Sequence, residues 1–477
     1  MPIPMLPPSA LPPFRPHSGE PIYRQIYARL RNAIAEQLLR PGDRIPAARA
    51  LALELGVARG TVEAAYALLS AEGYVETRAQ AGTVVTQQLP PLLPPSIVLT
   101  NATAPSTLAA MPATQGPLPF QMGLPALDAF PRKLWARLAA RSIRATGQTD
   151  MLYPPSAGLP ALRTEIATYL QLSRGVACSP EQVFVTSGYR ETLQLIAAAV
   201  LTRGDQVWVE DPGYAPTAAV LTQAGMLPVP VAVDDEGLQL AQAVQTAPTA
   251  RAVVVTPAHQ SPLCVALSLP RRLALLDWAA RHDGWIVEDD YDGEYRYVGR
   301  PLPALKSLDH AGRVLYAGTF SKVLFPGVRL AYLVVPPSQL VVFQRAAQAC
   351  FSGAPLLTQH IVSDFIGAGH FARHLQRMRK LYAERRLLVT QALQQVLGDY
   401  VQIHQPPGGM HLILHLRGRR SDRALAARMR ADGMAVHALS ERSVAHPVRP
   451  GLLLSFTNIA TAELANQLGQ RILALLK

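Results

Sequence analysis

Apolar residues recur at helical spacing over residues 21–39, where Ile22, Ile26, Leu30, Ile34 and Leu38 form one stripe. That spacing predicts an amphipathic helix, ended by Arg40-Pro41-Gly42-Asp43. Two shorter helices follow, Ala48–Leu55 and residues 59–69, with Gly56-Val57-Ala58 turning the chain between them. Helix, tight glycine turn and helix make a helix-turn-helix, whose second helix lies in the DNA major groove. Residues 73–77 and 83–86 then alternate as strands about Arg78-Ala79-Gln80-Ala81-Gly82, a hairpin that completes a winged helix over residues 19–87.

From 88 to 119 no period runs. Pro, Ala, Thr and Leu dominate, with Pro90-Pro91 and Pro94-Pro95, which predicts a linker stiffened locally by polyproline segments. From Phe120 onward helical stretches alternate with short apolar strands at 183–185, 206–209, Ala252–Val255, 285–287, 314–316 and 330–335. Strands apolar on both faces belong to a mostly parallel sheet, so residues 120–477 are expected to form a doubly wound α/β domain. Within it the part from about 379 to 477, with apolar runs His411–Leu416 and 452–456, reads as a smaller α+β subdomain. The chain is therefore multidomain, as its 477 residues also suggest.

Composition narrows the setting. Hydrophobic residues make up 49%, enough for a large core, yet no apolar run approaches the roughly 20 residues of a membrane span. Met1 to Pro16 is proline-rich, without an apolar core or cleavage site, so no signal peptide is expected. Cys178, Cys264 and Cys350 lie far apart with no CxxC spacing, which implies neither a disulfide framework nor a zinc site and makes the cytoplasm the expected compartment. The net charge of +12 suits a polyanionic partner. It is unevenly placed: residues 19–88 carry eight Arg/Lys against seven Asp/Glu, residues 367–430 twelve against three. The second excess reads as a solvated helical face as well as it reads as a binding surface.

The chemistry centres on Gly318-Thr319-Phe320-Ser321-Lys322, at the end of an apolar strand, followed by Pro326-Gly327-Val328-Arg329. A lysine in a strand-end loop is usually just solvated, but this is also where α/β folds collect ligands and where a Schiff-base lysine belongs. Arg329 supplies fixed charge for a phosphate, and Thr319 a hydroxyl. Thr186-Ser187-Gly188-Tyr189-Arg190 follows a strand and opens a helix, so the amides of Ser187, Gly188 and Tyr189 offer an anion site. Glu288-Asp289-Asp290-Tyr291-Asp292 ends a buried strand, an unusual place for four carboxylates; such a cluster could hold a metal, but it lacks a nearby histidine and no metal is expected. Alternation sets Tyr291 on the face of Asp289 and turns Asp290 away.

The Ser-Lys-x-x-x-Pro-Gly-x-Arg stretch resembles the signature of fold-type I pyridoxal-phosphate enzymes, in the form found in the MocR/GabR group of bacterial transcription regulators. The winged helix likewise resembles the GntR domain, through Pro-Gly-Asp-Arg-Ile-Pro, Leu-Ala-x-Glu-Leu-Gly-Val and Leu-x-x-Glu-Gly-Tyr. The resemblance implies an aminotransferase-like domain whose cofactor, pyridoxal 5′-phosphate, is linked to Lys322 beside Ser321. It implies that Tyr214 stacks on the pyridine ring, that Asp289 pairs with the ring nitrogen, and that Tyr291 reaches the phenolic oxygen. His259 or Gln260, in Thr256-Pro257-Ala258-His259-Gln260-Ser261-Pro262, is expected near the same oxygen; Cys264 stands where glycine is usual. Tyr153 matches a tyrosine that crosses to the partner's phosphate in a homodimer. On the DNA side Arg49 and Arg59 are expected at phosphate or bases, Thr61 at a phosphate, and the wing tip Gly82-Thr83 in the minor groove. Ala47-Ala48 and Gly60 replace the family's Ser-Ser and Asn, which removes phosphate-contacting donors.

Aminotransferases hold the substrate α-carboxylate with an arginine on the last strand. Here Leu453 takes that place in Leu452-Leu453-Leu454-Ser455-Phe456, with Arg449 nearby across Pro450-Gly451. The expectation is a cytoplasmic, homodimeric regulator that binds a double-stranded operator and senses pyridoxal phosphate or an amine effector. A working aminotransferase with a DNA-binding appendage is the alternative, and a DNA-binding scaffold with a vestigial cofactor site is a third.

Overall fold

The computed structural model describes residues 20–78, 82–87, 116–297, 299, 302–351 and 353–477. The chain divides into two compact units, Met1–Ala110 and Met111–Lys477. Among the described residues no helix is long and apolar enough to cross a membrane.

In the first unit α1 (Ile22–Ala35), α2 (Ala48–Leu55) and α3 (Arg59–Ala71) are followed by the antiparallel pair β1 (Val75–Arg78) and β2 (Gly82–Val85). Ile26, Leu30 and Ile34 form the core with Leu51, Val62, Leu69, Val75 and Val85. The first helix is shorter than its apolar stripe predicts. Gln37 adopts a left-handed φ of 58°, and the Leu39 N–H turns back to the Ala33 carbonyl at 3.0 Å. Leu39 thereby fills the core and Leu38 is left exposed. Gly56 ends α2 at a φ of 63°, a conformation glycine adopts without steric cost. The predicted hairpin tip, 79–81, and all but the end of the predicted linker, 88–115, lie outside the described residues.

In the second unit α4 (Arg132–Ala145) and α5 (Pro160–Arg174) precede β3 (Val183–Thr186), α6 (Tyr189–Val200), β4 (Gln206–Asp211), α7 (Ala215–Gln223) and β5 (Leu227–Asp234). Next come β6 (Gly237–Leu238), α8 (Leu240–Thr246), β7 (Ala252–Val255), α9 (Leu269–Arg281), β8 (Trp285–Asp290), β9 (Val314–Thr319) and β10 (Ala331–Val334). These strands form one sheet in the order β3-β10-β9-β8-β7-β4-β5-β6. The five from β9 to β5 are parallel, and β10 is antiparallel to both its neighbours. The sequence pattern overlooks β5, whose Pro228 and Pro230 argue against a strand. β5 pairs along its length with β4, whereas β6 touches it only at Val233 and Asp234, so most of its outer edge is free of β6.

α10 (Leu340–Cys350), α11 (Leu356–Gly367) and the 28-residue α12 (His370–Leu397) lead to a four-stranded antiparallel sheet. Its order is β11 (Val401–His404), β12 (His411–Leu416), β14 (Gly451–Ser455), β13 (His437–Ala438), with α13 (Asp422–Ala431) and α14 (Ala462–Leu476) packed alongside. Residue 379, the expected start of this subdomain, falls inside α12. Residues 118–120 are tied to the small sheet: the Asn458 amide donates to the Leu118 carbonyl, Ala435 N–H to Pro119 and Ser455 N–H to Phe120.

Candidate functional site

Asp211, Val255, Asp290 and Thr319 end β4, β7, β8 and β9, and parallel strands end on one edge, where open α/β sheets gather their ligands. The antiparallel β10 sets Ala331 opposite both Thr319 and Thr186. That register brings Arg329 back beside the turn into α6. A Cβ on Gly188, whose φ is 119°, would stand 3.0 Å from the Arg329 guanidinium. Glycine there lets a cation lie against a helix N-terminus, which is the arrangement an anion needs.

At this edge a cavity of about 330 Å³ is lined by Lys322, Asp289, Tyr291, Tyr189, Tyr214, Thr319, Ser321 and Arg329. Thus eight of the expected residues meet in one place. Lys322 Nζ donates to the Gly123 carbonyl at 2.9 Å, and burial draws its pKa below the ordinary lysine value against the pull of Asp292 and Asp289. A lysine so placed yields the neutral amine more readily. The Ser321 N–H donates to the Thr319 hydroxyl at 3.1 Å and fixes it.

Asp289 is 7% exposed and, among the described residues, has no ion pair. Burial pushes its carboxyl up to about 8; the Tyr189 phenol opposes this, and Asp290, Glu210 and Asp292 add to it. A cation placed against Asp289 removes that penalty. The other carboxylates of the string are already engaged. Glu288 accepts from the Leu305 and Lys306 N–H groups at 2.7 and 2.8 Å, and Asp290 from Arg174 Nε at 2.7 Å and the Tyr316 hydroxyl at 2.6 Å. Asp290 does turn away from the cavity.

His259 stands behind Tyr291: its Nδ1 lies 3.0 Å from the Tyr291 hydroxyl and 3.1 Å from Asp292. Burial disfavours its proton, but Asp292 outweighs burial and holds the imidazole well above its usual pKa. Gln260 lies outside the cavity lining, its amide donating to the Glu210 carboxylate at 3.2 Å and the Pro212 carbonyl at 2.9 Å. Cys264 adopts a left-handed φ of 64°, the region that favours glycine, and its thiol lies 3.2 Å from His411 Nε2. Tyr153 is 92% exposed, beside the exposed Met151 and Leu152.

Three participants escaped the sequence reading. Gly123 faces the lysine amine. Asp211 accepts the N–H groups of Val444, Ala445 and His446 at 2.8, 2.7 and 2.8 Å, clamping a loop of the small sheet onto the cofactor edge. Arg442, on that loop, lines the cavity, as does Leu453. Arg449 instead lies exposed with its guanidinium on Gln402 at 3.0 Å.

In the winged helix Arg49 and Arg59 are exposed in the first turns of α2 and α3, Thr61 is half-buried, and Gly82 and Thr83 begin β2. Arg59 pairs with Glu63 at 2.7 Å. Arg44, not singled out from the sequence, lies against the wing, 3.1 Å from where a Cβ on Gly82 would sit. A Cβ on Gly60 would meet nothing within 4 Å, so crowding does not explain the absence of a side chain there.

A fold-type I sheet with lysine, aspartate and arginine on its carboxyl edge defines an aminotransferase-like domain. Residues 125–464 match aminotransferase class I and II, and residues 22–85 the bacterial regulatory proteins of the gntR family. The solved kynurenine aminotransferase of Pyrococcus horikoshii, in complex with PMP, superposes with a TM-score of 0.67 at 26% identity, over 76% of this chain and 91% of that one. The chain is 38% identical to the probable rhizopine catabolism regulatory protein MocR of Rhizobium meliloti over 448 residues, covering 92% of this chain and 90% of that protein. It is 35% identical to the pyridoxine biosynthesis regulator PdxR of Corynebacterium glutamicum, covering 84% of each. The chain belongs to the MocR family of transcription regulators, in which a GntR-type winged helix is joined to an aminotransferase class I and II domain. Pyridoxal 5′-phosphate is the cofactor of that domain, and Lys322, Asp289, which among the described residues has no ion pair, and the Gly188–Arg329 cradle fit its aldehyde, ring nitrogen and phosphate.

Proposed function

We propose that this regulator holds pyridoxal phosphate on Lys322 and couples the cofactor site, by occupancy or by an incoming amine, to operator binding through the winged helix. The observation that carries the reading is the gathering of Lys322, Asp289, Tyr291, Thr319 and Arg329 in one cavity of a chain that also contains a GntR unit. When bound, the cofactor supplies an electrophilic aldehyde that exchanges amines. Asp289 holds the ring nitrogen protonated, Tyr291 with His259 and Asp292 behind it holds a proton at the phenolic oxygen, and Arg329 with the Ser187–Tyr189 amides holds the phosphate. The protein works in the cytoplasm as a homodimer, with Tyr153 reaching the partner's phosphate; the exposed Met151-Leu152-Tyr153 run supports that contact.

Titration with pyridoxal phosphate, followed by visible absorption and by binding to the DNA upstream of the gene, tests this reading. Lys322→Ala should lose the cofactor band and the cofactor's effect on DNA binding while retaining DNA binding itself. Unchanged absorption in that variant places the link elsewhere. The rival, a working aminotransferase, draws on the same lysine, aspartate and phosphate-side arginine, but has Leu453 where its substrate-carboxylate arginine belongs. Sustained keto-acid release over many turnovers decides for it.

A further inference from the structure

We propose that Cys264, paired with His411, is a site of oxidation by hydrogen peroxide, and that the sulfenic acid formed there is felt at the cofactor cavity through His259. The second half rests on the reading of that cavity as a cofactor site; the first half does not.

Cys264 is a buried thiol for which cofactor binding has no use, yet its surroundings are not those of a packed, inert cysteine. Its Sγ lies 3.2 Å from His411 Nε2, and the two groups share the Pro262 carbonyl at 3.4 and 3.0 Å. The His259 ring stands edge-on to that of His411, with centroids 5.8 Å apart. Each part is fixed independently of the sulfur. The Cys264 N–H donates to the Gln260 carbonyl at 2.7 Å, and the Gln260 N–H to that of Val265 at 2.8 Å. His259 is held through Nδ1 by Tyr291 and Asp292, and it packs so closely on Gly409 that a Cβ there would stand 2.0 Å from its ring.

Burial raises the pKa of the Cys264 thiol, but His411 and His259 outweigh burial and bring it down to about 6. The thiolate, which is the nucleophile, is then the main form at neutral pH. Cys178 is the contrast: burial, against the pull of Lys306, pushes its thiol up to about 11.

What reaches the sulfur is set by a void of about 20 Å³, lined by Cys264, His259 and Asp292 and by Ala258, Ala266 and Arg296, which are partly open to solvent. That volume takes about one water-sized molecule, so hydrogen peroxide fits and a peptide thiol does not. His259 Nε2, on this void, is buried and makes no well-formed hydrogen bond among the described residues, although the Cys264 sulfur helps to hold the ring's proton. The thiolate attacks one peroxide oxygen: the S–O bond forms, the O–O bond breaks, and the leaving hydroxide takes the proton of the His259 imidazolium and departs as water. Sulfur loses two electrons and the peroxide gains them. The neutral sulfenic acid removes the anion from beside both imidazoles and sets an oxygen next to His259, whose other nitrogen holds the Tyr291 hydroxyl.

The test exposes the full-length, cofactor-free protein to hydrogen peroxide at neutral pH, quenches it in denaturant with dimedone and locates the label by peptide mass spectrometry. Unquenched samples are titrated with pyridoxal phosphate. Cys264 should be labelled about fivefold or more faster than Cys178 and Cys350, and His411→Gln should slow it by about as much. Cofactor affinity should shift by about threefold or more on oxidation, and peroxide should leave it unchanged in Cys264→Ser. Labelling of wild-type Cys264 no faster than of Cys178 overturns the proposal, whatever the folding of any variant. An unchanged rate in a folded His411→Gln overturns the pairing, and an unchanged cofactor titration in the oxidised wild type overturns the coupling through His259. Absence of cofactor uptake before peroxide is added overturns the cofactor reading and the coupling with it, while the labelling still decides the oxidation site.

Discussion

The amine of Lys322 donates a 2.9 Å hydrogen bond to the carbonyl oxygen of Gly123, a residue 199 positions earlier in the chain. Gly123 has a φ of 72°, and a Cβ built on it would lie 2.5 Å from that amine. Gly123→Ala therefore combines backbone strain of about 1–2 kcal/mol with a clash at the reacting nitrogen. We expect the variant to fold and bind DNA but to take up pyridoxal phosphate at least about tenfold more weakly, read from a cofactor titration. Wild-type uptake would show that the lysine arm moves freely away from residue 123.

Asp289 gives the cofactor-free protein a pH dependence of defined sign. Its folded value of about 8, against an ordinary 3.8, means that the folded chain keeps a proton the unfolded chain releases between those values. Stability then falls as pH rises through that window and levels off above about 8. Glu210 and Glu288, both pushed up to about 7 chiefly by burial, act with the same sign. Asp289→Asn should flatten the decline between about pH 6 and about pH 9 without removing the share of the two glutamates, as measured by urea unfolding of the cofactor-free forms. Identical slopes for the two proteins would mean that Asp289 is already ionised when the site is empty.

The clamp between the two sheets rests on Asp211. Removing its carboxylate leaves three N–H groups, from Val444, Ala445 and His446, without their charged acceptor. Water can reach part of this loop, so the loss stays below the sum of three charge-assisted bonds. We expect Asp211→Ala to destabilise the larger unit by about 2–4 kcal/mol in guanidinium unfolding. A change under about 0.5 kcal/mol would show that the loop is held by other contacts.

Much of this site is legible in sequence because its residues end strands, and the apolar runs that mark strand ends are local. Thr319, Asp289 and Tyr214 each follow such a run, as does Gly188 with the help of a helix start. What is not legible depends on register across the sheet. Nothing near Gly123 says that it faces Lys322, and nothing near Arg442 says that Asp211 will hold its loop over Tyr214. Arg449, close to Leu453 in sequence, lies instead against Gln402 of β11. The same limit applies to β5, where proline obscures a strand that most of its outer edge tolerates, and to α1, where one left-handed residue moves the apolar stripe from Leu38 to Leu39.

The winged helix allows recognition to be separated from stability. Arg59 and Glu63 pair at 2.7 Å on the exposed side of α3, with side chains 67% and 48% exposed. Such a pair contributes less than about 0.5 kcal/mol, so Arg59→Ala should leave the unfolding midpoint nearly unchanged. If α3 reads the groove, the same change removes a base or phosphate contact, and affinity for a DNA site recovered by in vitro selection should fall by about tenfold or more. Gly60→Ala is the complementary variant: the open space around residue 60 accepts a methyl group, and helix propensity favours it by about 0.5–1 kcal/mol. It should raise the melting point with little effect on DNA affinity, because it adds no donor. Arg59→Ala binding the selected site as tightly as the wild type at physiological salt would move the reading surface off the start of α3.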